Sequence, residues 1–78
     1  MALTQELLDE LQLLSLFSVS SLQEGLKIHS DASPVRIAAA QRLFSKGIIT
    51  QHDGGYLTQL GQEAAQQLLS LKTILATA

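Results

Sequence analysis

Cysteine and tryptophan are both absent from the 78 residues. No disulfide can staple this fold, and no thiolate can hold a zinc ion. Aromatic residues amount to one tyrosine and two phenylalanines, so any core must be built from aliphatic side chains. The single proline, Pro34, leaves long stretches free to be helical. No apolar run approaches the ~20 residues that a bilayer-spanning helix needs. Glu6, Asp9 and Glu10 occupy the start of the chain, where a signal peptide has a basic region followed by an apolar one. A cytoplasmic protein is therefore expected. Basic residues are scarce, five against seven acidic ones, for a net charge of −2. Two histidines on separate turns make a poor ligand set, and no nucleophile, base and orienting group recur together. No enzyme activity, metal or cofactor is expected.

What is present is aliphatic. Hydrophobic residues make up 46% of the chain, mostly leucine and alanine, which suits helix packing. One domain is expected, and a chain this short buries only ~60–65% of its unfolded surface. The positive mean hydropathy of so small a chain points to a second copy covering some apolar surface.

The charges are unevenly spread. Residues 1–24 carry −4, residues 25–50 carry +3 and residues 51–78 carry −1. Lys27, Arg36, Arg42 and Lys46 account for four of the five basic side chains. Phosphate contact is a local property, so this clustering matters more than the total. The same four cations also suit an ordinary solvated face.

The stretch from Ser33 to Thr58 has the most local punctuation. Ser33 is a good N-cap and Pro34 fits the first helical position, where its missing N–H costs nothing. Lys46 lies in the last turn and Gly47 follows as a left-handed C-cap residue. A helix over 34–46 is predicted, with Ile37, Ala40, Leu43 and Phe44 inward. Ile48-Ile49-Thr50 is β-branched and favours a strand. Asp53-Gly54-Gly55 is turn chemistry, so a hairpin over 48–58 follows, with Tyr56 anchoring it on the core.

Three more helices are predicted. The first, over 5–14, has Thr4 as N-cap, a Leu3–Leu8 staple, and Leu7, Leu8, Leu11 and Leu14 as its apolar stripe. Glu6, Asp9 and Glu10 are read as its solvated acidic face. The second, over 21–29, starts at the capping-box spacings of Ser20 with Gln23 and Ser21 with Glu24. The last, over 59–76, starts at Thr58. Its stripe of Leu60, Ala64, Leu68, Leu71 and Leu75 holds more leucine than a monomer of this size hides. A homodimer through Leu68, Leu71 and Leu75 is expected.

This order resembles a winged helix-turn-helix: mainly α with a small β-hairpin, three helices, a wing and a long C-terminal helix. Leu43-Phe44-Ser45-Lys46-Gly47-Ile48-Ile49 is similar to the exit from the recognition helix in bacterial winged-helix regulators. Gly54-Gly55-Tyr56-Leu57-Thr58-Gln59-Leu60-Gly61 is similar to the return strand of the wing and the next helix. The whole chain also resembles a family of short, conserved, uncharacterised bacterial proteins for which DNA binding has been suggested from fold. The resemblance implies a small DNA-binding homodimer, a possible transcriptional regulator, with helix 34–46 in the major groove. Ser33, Arg36, Ile37, Ala40 and Gln41 then lie at or near the groove-facing side, with Arg36 and Gln41 near base edges. Lys27, Arg42 and Lys46 meet phosphates, and residues 51–54 form the wing tip, where a protonated His52 can add a contact. The departures are Ala38-Ala39-Ala40 on the reading helix and Asp53 at the wing. They favour the alternative, the same fold as a protein–protein interaction module without DNA. Gly54-Gly55 is read as a hairpin turn, not a phosphate cradle.

Overall fold

The computed structural model describes residues 2–17 and 25–77. Its elements are α1 (Gln5–Leu14), β1 (Leu26–Lys27), α2 (Pro34–Ser45), β2 (Ile49–Gln51), β3 (Gly54–Leu57) and α3 (Gln59–Ala76). The three strands form one antiparallel sheet in the order β1-β3-β2. The mainly helical architecture with a small antiparallel sheet is as expected.

Each helix begins where its cap dictates. Thr4, Ser33 and Thr58 accept hydrogen bonds from the backbone N–H of Leu7, Arg36 and Gly61 at 3.1, 3.2 and 3.0 Å. α2 ends in a Schellman motif: Ile48 N–H donates to Leu43 C=O and Gly47 N–H to Phe44 C=O, both at 3.0 Å. Gly47 has φ +77°, which a side chain resists. The Thr58 hydroxyl donates to the carbonyls of Gly47 and Ile48 at 2.5 and 3.1 Å. The Thr58 side chain thus caps α3 and reaches back to the Gly47 carbonyl past α2, while the Thr58 N–H donates to the Ile48 carbonyl at 3.0 Å.

The core is small and aliphatic. Leu13, Phe17, Ile28, Ala39, Ala40, Leu43 and Ile49 are buried together, with Leu26, Ala32, Ile37, Ile48 and Leu57 packed around them. α1 lies against α2, and the alanines of α2 let the two backbones come close.

Several sequence expectations are corrected. The helix over 21–29 is not formed at its C-terminal end: Leu26-Lys27 is a strand, pairing with Gly55 and Gly54. Its capping boxes at Ser20 and Ser21 lie outside the described residues. The reversal of the hairpin is at His52-Asp53, while Gly54 and Gly55 belong to β3. Both have positive φ, and a Cβ on Gly54 runs into the Leu26 carbonyl. Gly54 admits β1 onto the sheet, while a Cβ on Gly55 runs into Thr50 and Gln51 of β2. A register shift between Ile49 and Gln51 bends the hairpin. Leu3 and Leu8 are exposed, so the staple at the start of α1 does not form a buried contact. Phe44 faces outward at 45% exposure and Ala39 takes the inward place. Tyr56 is also largely exposed, lying over Gly25. No described helix is long and apolar enough to cross a membrane.

Candidate functional site

Arg42 of α2 and Lys46, the residue that caps its end, do not stand free. Arg42 Nε donates to Glu10 Oε2 at 2.9 Å, and Arg42 Nη2 donates to the Glu6 carbonyl at 3.2 Å. Lys46 Nζ donates to the other Glu10 oxygen. Glu10 is 4% exposed and is the only buried charged residue among those described. It was read as part of a solvated acidic face; the structure places it in the α1–α2 contact with both oxygens used. The reason is helical spacing. Glu10, Leu13, Leu14 and Phe17 fall at i, i+3, i+4 and i+7, a single inward stripe. Burial pushes the Glu10 carboxyl upward, but the hydrogen bonds and charges of Lys46 and Arg42 outweigh that and hold it below its ordinary value.

Lys27 is engaged as well, donating to Asp53 across the β1–hairpin junction. That hydrogen bond lowers the Asp53 carboxyl. Three of the four clustered cations are therefore in ion pairs. Arg36 is exposed and in no ion pair among the described residues. Ser33 is spent on its cap. Gln41 is exposed on α2, whereas Ala40, expected at the groove-facing side, is buried in the core.

The structure brings the two histidines together. His29, after β1, and His52, in the hairpin turn, line one cleft of about 430 Å³ with Ile37 and Gln41 of α2. Sequence separation hid this, because β1 was not anticipated. The His52 ring meets the edge of Phe44, with centroids 6.5 Å apart and planes at 81°. The Ile28 N–H donates to the Asp53 carbonyl at 2.7 Å and ties β1 to the turn. No three His, Cys, Asp or Glu side chains among the described residues are grouped to hold a metal ion.

α3 presents the opposite character. Only Gly61 and Ala65 of its 18 residues are buried. Leu60, Leu69, Leu71, Ile74 and Leu75 are 49–74% exposed. Leu71 and Leu75, two of the expected interface residues, are among them. Leu68, the third, is half-buried and borders a groove with Leu14 and Phe17 of its own chain.

No curated protein and no solved structure matches the chain. One family model does, over residues 1–76, and the chain belongs to that family, the Family of unknown function (DUF5669).

Proposed function

We propose that this chain is a protein-interaction module of winged-helix type that associates with a second copy of itself through α3. The sheet order β1-β3-β2 beside a capped helix and its hairpin supports the winged-helix reading. Among the described residues, those directly before α2, 25–33, form β1 and a turn that lead into the Ser33 cap.

The observation that carries the proposal is the exposed apolar face of α3. Leu60, Leu71, Ile74 and Leu75 expose half or more of their surface on one helix whose only charges are Glu63 and Lys72. Leu68, Leu71 and Leu75 are spaced by 3 and 4, the interval of a coiled-coil seam. A second copy of α3 offers the same uncharged stripe, and burying each leucine gains about 1.5–3 kcal/mol. The cations of α2 support the choice of protein over nucleic acid. Taking Arg42 and Lys46 for phosphates leaves Glu10 buried without partners, at a cost of about 3–5 kcal/mol.

Sedimentation velocity at micromolar concentration tests this reading. The expected species has twice the 8.4 kDa chain mass, and Leu71→Glu returns it to the chain mass with helical content kept. Wild-type protein that stays at the chain mass up to about 100 µM, where even weak dimers assemble, removes the proposal. Titration of a mixed-sequence duplex at low salt separates the rival. Tight binding that Arg36→Ala abolishes moves the assignment to DNA.

A further inference from the structure

We propose that the cleft between α2 and the hairpin binds a small organic acid, with its apolar body on Ile28 and Ile37 and its carboxylate among His29, Gln41 and His52. The cleft volume, about 430 Å³, falls in the ~300–1,000 Å³ range of small-molecule sites. Its floor is aliphatic: Ile28 is buried in the core and Ile37 is half-buried beside it. Its rim is polar, and beside the Lys27–Asp53 ion pair His29, Ser30, Gln41 and His52 each offer an N–H or O–H donor.

The lining has one acidic residue, Asp53, and the Lys27 ammonium already occupies that carboxylate. The free rim groups can therefore all donate, and an acceptor-rich, anionic head matches them. A cation has no free carboxylate to meet there. The rim is also held in place. The His52 ring lies nearly at right angles to Phe44, and the Ile28–Asp53 backbone bond ties the turn that carries it to β1. No residue of α3 lines the cleft, so this site stands or falls apart from self-association.

The test is an NMR titration of the intact chain with benzoate, using benzamide as the neutral counterpart of the same shape. Benzoate, with its small number of non-hydrogen atoms, is expected to saturate with a dissociation constant of about 1 mM. Its shifts should fall on the Ile28 and Ile37 methyls and the His29 and His52 ring C–H groups. Benzamide is expected to bind about fivefold or more weakly, because only the acid uses every donor. His52→Ala and Gln41→Ala, both at exposed positions, should each weaken benzoate about three- to tenfold with the amide spectrum otherwise unchanged. Shifts that do not saturate by about 20 mM, equal affinity for benzamide, or a response confined to α3 overturns the assignment.

Discussion

The α1–α2 contact and the C-terminal half of α3 use their residues in opposite ways. In the first, a carboxylate lies at 4% exposure with a cation on each oxygen. In the second, Leu75 stands at 74% exposure beside other leucines. Hydropathy alone assigns both wrongly. A charge can be buried where its partners are fixed on a neighbouring helix, and α2 supplies two from successive turns. A leucine stays exposed where none of the described residues lies over it. α3 is long, and its buried residues, Gly61 and Ala65, are both in its first half. The contrast separates the contacts that hold the fold together from the apolar face that it leaves exposed.

The sharpest way to break that contrast is at Glu10. Glu10→Ala removes the anion that Arg42 and Lys46 share. Both cations keep access to water, at 28% and 52% side-chain exposure, so the loss expected is that of the charge-assisted hydrogen bonds, about 1.5–3 kcal/mol. For a domain whose total stability is roughly 4–12 kcal/mol, that moves the urea midpoint clearly down. Leu71→Glu, by comparison, should leave the midpoint of the monomer almost in place. If the two substitutions were equally mild on the monomer, Glu10 would be no anchor.

Acid reaches the same group without mutation. The Glu10 carboxyl is lowered in the folded state, so its contribution is complete above the ordinary glutamate range, about 4.3, and is lost as pH falls through the lower folded value. Between pH 6 and the lowered value, wild type should lose stability more steeply than Glu10→Gln, since glutamine has no proton to take up. Parallel urea midpoints from pH 7 to pH 3 check this; curves that stay parallel assign the acid sensitivity to other carboxylates.

The contrast also marks what could be read from the chain. α3 and the exit from α2 were legible because their signals are local: Thr58 as a cap, Gly47 as the left-handed residue, leucines at helical spacing. Glu10 was misread as part of a solvated face, although it continues the stripe of Leu13, Leu14 and Phe17. What sequence could not give was its partners, 32 and 36 residues away. β1 left almost no trace. It is two residues long, Leu26 also fits a helical stripe with Leu22, and its pairing partners are glycines with no side chain to pattern. The cleft followed β1 into obscurity, because only that strand carries His29 toward His52.

Gly61 tests the one place where α3 does pack closely. Alanine is worth about 1 kcal/mol more than glycine inside a helix, so propensity alone predicts a gain. Yet a Cβ at Gly61 runs into the Ile48 carbonyl, part of the rigid exit from α2, and meets Leu57 Cδ2 at 3.2 Å. Backbone cannot rotate aside as a side chain can, so Gly61→Ala should be destabilising by about 1–3 kcal/mol. A raised urea midpoint would mean that α3 can shift on the sheet, and that its first half is held no better than its second.

The smallest effect is expected from the ion pair that resembles the Glu10 cluster in chemistry and differs in surroundings. Lys27 donates to Asp53 as Lys46 does to Glu10, but the Lys27 side chain is 63% exposed and its partner has water as an alternative. Lys27→Met should hardly move the denaturation midpoint, and what it does move should vanish on raising salt from about 0.05 to 0.5 M. Lys46→Met strips one oxygen of a carboxylate that water reaches poorly, so its loss should be clear and should persist at high salt. The anion is buried in one pair and partly open in the other, and Arg42 holds the second Glu10 oxygen. If both lysines behaved alike under salt, the Glu10 oxygens would have to be reachable by water, and the cations of α2 would again be free to meet a phosphate.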